Sequence, residues 1–495
     1  MAPVVDRARR PIVSRIRDHA IRQPEHTAIV VGKVRVSYKV LWQQVVAARS
    51  WLVSRGVGHG DRVLISTDSR DPLFAAAYFG VHLAGAVAVP VDFRSTPERI
   101  EFRSRFVTAR LAITGPLLTD FRVFVGKEDQ DGIDDDDLPF PSMKDLAEIT
   151  FTSGTTGKPK GVTLSHQNIA ESAHLIRSFV GNAADDVEVV TVPITHSFGL
   201  GRLRATILAG GTIVIVPGLV FPQLTFRALE EHRATGLACV PSGMRLFLTK
   251  MPDSLAALAG QLKYLEMGSA VFRSDEKEAV RRLLPQTRLC MHYGLTEASR
   301  STFLEFHQDR GHLDSVGKPS PGVEIKVVPQ SGDSSSDHFP GLLHIRAPTV
   351  MVGYWNAEEL TASVLDENSG WLNSGDLGWI DDAGYVHLAG RADEVINCGG
   401  AKFMPDDLER YAEEFENVTE CGCTGVPDPA GVLGDIPLLC VTTRGLVDTA
   451  ALAKHVRRRF AFDLPTVQIR TVDTLPRTES GKLIRRELRA LDEKR

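Results

Sequence analysis

Cysteine is scarce and scattered: six residues in 495, at Cys239, Cys290, Cys398, Cys421, Cys423 and Cys440, mostly inside apolar runs. Cys421-Gly-Cys423 is one residue short of a C-x-x-C pair, and no second pair or histidine cluster stands beside it. A disulfide framework is therefore excluded, and unpaired thiols point to a reducing cytoplasmic setting. No charge sign dominates: 57 Lys and Arg against 62 Asp and Glu leave a net charge of −5. That removes the electrostatic argument for a nucleic-acid or anionic-membrane partner. The first eighteen residues carry several arginines with Asp6 and Asp18 but no apolar core, so they do not read as a secretory signal. Long hydrophobic runs are also missing. Only 74–91 approaches membrane length, and Gly85 and Pro90 divide it into a helix ending near Gly85 and a short strand. No internal repeat is apparent.

The most informative segment present is Phe-Thr-Ser-Gly-Thr-Thr-Gly-Lys-Pro-Lys-Gly at 151–161. Glycines let a backbone turn its amides toward an anion, hydroxyls add donors, and lysine adds a point charge suited to phosphate. Thr152, Ser153, Gly154, Thr155, Thr156, Gly157 and Lys158 thus read as a loop that wraps a polyphosphate, after a strand over 145–151. It is not the common P-loop: two residues separate Gly154 from Gly157, and Pro159 stands where Ser or Thr would hold magnesium.

Hydrophobic content of 43% and charged content of 24% suit a soluble globular chain long enough for more than one domain. Short apolar runs at 62–66, 189–193, 212–217 and 236–241 alternate with helical stretches such as 222–234. That alternation predicts an α/β fold: a large N-terminal domain, 1–390, of mostly parallel sheets covered by helices. After 390–393 the pattern becomes a small α+β unit over 394–495, with helices at 406–416 and 450–460 and strands at 418–426 and 467–472. The acidic stretch 128–137 reads as a solvated loop.

Further motifs follow in order: Pro-Ile-Thr-His-Ser-Phe-Gly at 193–199, Glu-Met-Gly-Ser-Ala at 266–270 and His-Tyr-Gly-Leu-Thr-Glu-Ala at 292–298. Then come Trp-Leu-Asn-Ser-Gly-Asp-Leu at 371–377, Gly-Arg-Ala-Asp-Glu-Val-Ile-Asn-Cys-Gly-Gly at 390–400 and Leu-Pro-Arg-Thr-Glu-Ser-Gly-Lys-Leu at 475–483. Together with the 151–161 loop they resemble the acyl-adenylate-forming superfamily: acyl-CoA synthetases, peptide-synthetase adenylation domains and firefly-type luciferases. The resemblance runs from about residue 30 to the end and is closest to the acyl/aryl-CoA ligase-like branch.

On the residues themselves, Lys482 is a lysine on a Gly-flanked loop able to bridge a carboxylate and an α-phosphate. Glu297 is a carboxylate suited to Mg²⁺ shared with phosphate oxygens. Tyr293 offers an aromatic face for adenine, Gly294 room for an acyl chain, and Asp376 an acceptor for both ribose hydroxyls. The resemblance implies that Lys482, His196 and Thr296 are catalytic, Thr296 touching the α-phosphate. It assigns Arg391 to the ribose, Gly268, Ser269 and Ala270 to the adenine, and His196, Ser197, Phe198, Gly199 and Gly294 to the substrate pocket. It also implies a mobile C-terminal domain turning about Asp393, with Gly399 and Gly400 on a thiol channel.

ATP, Mg²⁺ and CoA are the implied cofactors, with a carrier-protein phosphopantetheine as the alternative acceptor. Amino-acid-activating members carry an aspartate where this chain has Ser197, and a hydroxyl cannot replace a carboxylate for a buried ammonium. The implied substrate is therefore a non-amino carboxylic acid, fatty or aryl. Departures from the family pattern are Ser269 for a glycine, Asn397 for a frequent lysine, Leu342 for a glutamate, and a short acidic 114–152 region.

Overall fold

β-Branched runs that end in proline, glycine or a hydroxyl residue become sheet strands in the computed structural model of the protein. The structure describes residues 10–68, 70–126, 138–153, 159–216, 222–329, 340–398, 401–459, 466–478 and 482–491. The acidic 128–137 stretch, residues 154–158 of the phosphate loop, and Gly399 and Gly400 lie outside them. The chain divides into two compact units: 1–325 with 345–372, and 326–344 with 373–495.

In the first unit, strands Thr27–Val31, Thr212–Ile215, Val187–Val190, Gly236–Cys239, Tyr264–Met267 and Arg288–Tyr293 pair in parallel, in that spatial order. Antiparallel strands Val34–Ser37 at one side and Thr302–Glu305 with Lys318–Pro319 at the other close the sheet. The apolar runs expected at 62–66, 212–217 and 236–241 are all strands, and the one expected at 189–193 begins two residues earlier, at Val187. A second sheet sets Leu111–Ile113, Arg62–Ile65, Val87–Pro90 and Leu146–Ser153 in parallel, then Pro159–Ser165 antiparallel. The 74–91 run is helix Leu73–Leu83 followed by strand Val87–Pro90, with Phe74, Tyr78 and Phe79 all fully buried. Its apolar surface therefore serves a core buried on every face of the helix. Among the described residues no helix is long and apolar enough to cross a membrane.

The segment expected to wrap a polyphosphate is flanked by two antiparallel strands. Strand Leu146–Ser153 returns as Pro159–Ser165, with Thr152 opposite Lys160 and Ser153 opposite Pro159. A P-loop would pass from strand to helix.

The second unit holds hairpin strand Val386–Arg391 against Trp371–Ile380, with Asp376 opposite Arg391. Strands Val418–Pro427 and Asp435–Thr443 pair antiparallel, and Gln468–Thr471 adds in parallel. Helices Pro405–Glu413 and Thr449–Arg459 contribute Leu408, Ala412, Leu452 and Val456 to a core shared with Cys423, Leu439 and Val441. The compact units divide elsewhere than at 390. The ladder between 376–380 and 386–391 ties those residues to the chain that follows, so the second unit begins at Asn373 and also takes in 326–344.

Candidate active site

Three motif-bearing loops of the first unit leave the carboxyl ends of parallel strands in one sheet. Residues 191–196 follow Val187–Val190, 268–270 follow Tyr264–Met267, and 294–297 follow Arg288–Tyr293. In open α/β sheets this end is where ligands bind. The loops also touch. A Cβ on Gly268 would lie 2.2 Å from Cε1 of His292, so only glycine admits that imidazole. The ring of His292 stands 4.8 Å from that of Phe198, edge to face.

His196 is the N-cap of helix Ser197–Ala209, half-buried, as is Ser197, while Phe198 and Gly199 are buried. A Cβ on Gly199 would come within 2.2 Å of the Pro193 carbonyl oxygen. Gly294 is likewise demanded by its turn: a side chain there would meet the amide of Arg300 at 2.6 Å and the carbonyl of Ala298 at 2.8 Å. Both glycines thus answer to backbone contacts of their own.

Ser269, standing where the family carries glycine, adopts φ +78°. The serine keeps the left-handed backbone that glycine favours, at a steric cost of roughly 1–2 kcal/mol.

Tyr293 is buried, and Thr296 and Glu297 are half-buried. The Glu297 backbone carbonyl accepts from the Met351 amide at 2.8 Å, and its carboxylate Oε1 accepts the Tyr354 hydroxyl at 2.9 Å. Among the described residues no group of three or more His, Cys, Asp or Glu is placed to hold a metal. A single oriented carboxylate, a hard oxygen donor, fits Mg²⁺ that completes its shell with phosphate and water.

Sequence reasoning missed what lies beneath these loops. Arg202, one turn into the helix after His196, is fully buried and bonds Glu188 through Nε at 2.5 Å and Glu266 through Nη1 at 2.6 Å. Glu266 also lies 2.7 Å from Nδ1 of His292 and 3.4 Å from Nε of Arg300. Tyr264 donates to Glu188 at 2.9 Å. Arg204 forms a separate buried pair with Glu148 at 2.8 Å, sharing the Tyr78 hydroxyl at 3.0 Å. Burial alone would push the Glu266 carboxyl up, but Arg202, Arg300 and His292 outweigh it and hold it below the usual range. Burial, reinforced by Arg300, pulls His292 down to about 4, so it is a neutral imidazole at pH 7. The available signals were Arg202 and Arg204 in a mostly apolar helix and single glutamates inside apolar strands, at 148, 188 and 266, but these stand far apart in sequence.

In the second unit, Asp376 and Arg391, both assigned to the ribose, are ion-paired: Nη1 donates to Oδ1 at 3.1 Å and to the Ser374 carbonyl at 3.0 Å. The same guanidinium reaches Asp393 through Nε at 3.2 Å. Asp393 sits in the short 3-10 turn Ala392–Glu394. Lys482 is exposed. Its amide donates to Thr478 Oγ1 at 3.0 Å and its carbonyl accepts from the Thr478 amide at 2.7 Å, so a narrow loop presents it.

Comparison with known proteins places this arrangement. Residues 16–355 match the family described as AMP-binding enzyme, and 407–482 match the AMP-binding enzyme C-terminal domain. A feruloyl-CoA synthase from Amycolatopsis is 30% identical over 491 residues, covering 94% of this chain and 96% of its own. The long-chain-fatty-acid–CoA ligase of Bacillus subtilis is 27% identical, covering 95% and 92%. Among solved structures, ATP-bound MatB from Rhodopseudomonas palustris superposes with a TM-score of 0.85 at 26% identity, covering 97% of this chain and 98% of that one. The chain belongs to the AMP-binding enzyme family, the acyl-adenylate-forming enzymes whose motifs it carries in order.

Proposed function

We propose that this enzyme activates a non-amino carboxylic acid with ATP and passes the acyl group to the thiol of CoA. The observation that carries the reading is that the His196, Gly268 and Tyr293–Glu297 segments all lie at the carboxyl ends of parallel strands of one sheet, in a chain alike to named CoA ligases along nearly its whole length. Those names also support CoA over a carrier-protein thiol. Ser197 supplies no carboxylate for an α-ammonium, and the nearby buried carboxylates Glu188 and Glu266 are already paired with Arg202. A fatty or aryl acid without an α-ammonium fits this pocket.

In the first half-reaction a carboxylate oxygen of the acid attacks the α-phosphorus of ATP, the bond to the bridging oxygen breaks, and pyrophosphate leaves. Negative charge gathers at phosphorus, and fixed donors and cations aimed there lower the barrier. The Lys482 ammonium and the Thr296 hydroxyl serve that centre, with His196 at the acid. The 152–158 loop holds the polyphosphate, Asp376 and Arg391 the ribose, and Tyr293 with Gly268, Ser269 and Ala270 the adenine. Glu297 would hold Mg²⁺, which supplies charge neutralisation on the phosphates. In the second half-reaction the thiol loses its proton and its sulfur attacks the acyl carbon, releasing AMP. Rotation about Asp393 withdraws Lys482 and brings Gly399 and Gly400 to the thiol. Six free, buried cysteines suit a cytoplasmic enzyme.

The test is product mass after incubation with ATP, Mg²⁺, CoA and a pooled set of aryl and aliphatic acids. Acyl-CoA with AMP is the expected result. Acyl-AMP persisting beside unused CoA would overturn the choice of acceptor, and no adenylate with any acid would overturn the reading.

A further inference from the structure

The densest ion cluster of the second unit surrounds a residue to which none of the motifs assigned a role. Arg485 lies three positions after Lys482, at the start of the short helix Arg485–Leu488. Its Nε bonds Glu394 at 3.0 Å, and its two terminal nitrogens bond Asp406 and Glu409. Nη1 also donates to the Cys423 carbonyl at 3.1 Å. The guanidinium is largely withdrawn from solvent, with 14% of its side chain exposed. Four separate pieces of chain therefore meet on one planar group: the Ala392–Glu394 turn, helix Pro405–Glu413, strand Val418–Pro427 and the lysine-bearing segment. Only a guanidinium offers a fork of donors for so many acceptors, and an ammonium would not.

The position of Glu394 gives the cluster its meaning. It is the residue after Asp393, and Asp393 is itself held by Arg391 at 3.2 Å. From the loop side, Lys482 is fixed by Thr478, by the Arg477–Leu483 bridge, and by the Ile484 amide on the Pro476 carbonyl at 2.9 Å. The Arg485–Glu394 pair joins the turn to the lysine-bearing segment. We infer that Arg485 is a positioning residue that locks the Lys482 segment to the Asp393 turn, so that displacement of the turn and displacement of the lysine are one motion. The inference rests on the roles proposed above for Asp393 and Lys482, but the mechanical link itself does not depend on them.

Two measurements on the full-length enzyme separate the link from the roles. The first is hydrogen exchange in wild type, Glu394→Gln and Arg485→Met. The gentle Glu394→Gln change keeps size and hydrogen bonding but removes the charge. Faster exchange is expected at both 391–398 and 482–491, with 436–443 still protected. Unchanged exchange at 482–491 in Glu394→Gln would overturn the link, whatever the enzyme's activity. The second measurement compares the two half-reactions, using ferulate for adenylation and synthetic feruloyl-adenylate with CoA for thioester formation. Loosening a catalytic group by about an ångström costs roughly ten- to a hundredfold. That loss is expected in adenylation alone, with thioester formation from the preformed adenylate within about twofold of wild type. A merely structural role would lower both equally, and that result would overturn the positioning role. Wild type inert toward ferulate but showing the coupled exchange would keep the link and move the half-reaction comparison to an acid that the pooled product-mass test identifies; no adenylate with any acid would keep the link and overturn the positioning role.

Discussion

Each unit buries an arginine among carboxylates, but the two balance their charges differently. In the first unit Arg202 and Arg300 meet Glu188 and Glu266, and Arg204 meets Glu148, guanidinium for carboxylate, with side chains essentially sealed from solvent. In the second unit one guanidinium, Arg485, faces three carboxylates, of which Glu394 and Asp406 are 35% and 42% exposed. A sealed, balanced network cannot be opened without stranding a charge in low dielectric, so it acts as a permanent frame beneath the loops that carry His196, Gly268 and Glu297. A half-open cluster with surplus negative charge can exchange partners with water at far lower cost. The first arrangement suits a rigid floor, and the second would suit the mobile joint proposed at Asp393.

The most damaging change should be Arg202→Met. It leaves Glu188 and Glu266 buried without their cation and should cost about 3–5 kcal/mol of stability, read from denaturant unfolding of the first unit. A cost below that of Arg485→Met in the second unit would break the contrast. Next in size, Lys482→Ala should lower adenylation by about a hundredfold or more, the scale of losing a positioned charge at a transition state. Because Lys482 is exposed, the thermal transition should not move. A variant that still forms acyl-AMP at the wild-type rate would remove Lys482 from the mechanism.

Acidification should divide the units by sign. Burial holds His292 and His166 at about 4, below the ordinary 6.5. As pH falls from 6.5 toward 4 the unfolded chain takes up protons that the folded one refuses, so the first unit loses stability. Glu409 is the reverse case: burial, opposed by Arg485 and reinforced by Asp406, pushes it up to about 7 from 4.5. Its contribution is fully present below 4.5 and is lost as pH rises through 7. Hydrogen exchange between pH 7 and 5, corrected for intrinsic rates, should show helix Ser197–Ala209 weakening and helix Pro405–Glu413 strengthening. Parallel changes would erase the distinction. Smallest of all, Ser269→Gly should stabilise the first unit by about 0.5–1 kcal/mol, relief of left-handed strain less the extra chain entropy of glycine. A loss of stability would mean that the serine side chain contributes more than its backbone strain costs.

Much of the fold was legible before the structure. Strands such as Thr212–Ile215 and Gly236–Cys239 are short, apolar and punctuated, and buried parallel strands read that way whatever surrounds them. The helix over 73–83 was legible for the same reason, since an apolar run broken by Gly85 and Pro90 can only be spent in a core. Less legible was the division between units. The hairpin pairing Asp376 with Arg391 joins residues on both sides of a boundary that composition placed at 390, and a composition shift does not report a ladder. At Gly294, assigned from the sequence to the substrate pocket, the structure adds a second demand for glycine: its turn back onto Ala298 and Arg300 leaves no room for a side chain.

Residue type and motif order along the chain determined the family, because a Gly/Thr/Lys loop, a Thr-Glu pair and a Gly-flanked lysine are readable in any unfolded string. Tertiary structure alone decided which charges are buried and with whom. Arg202 finds Glu266 across 64 residues, and Arg485 finds Glu394 across 91. Local propensity carries no record of such distances. Only packing, by removing water from each guanidinium, makes a particular carboxylate its obligatory partner.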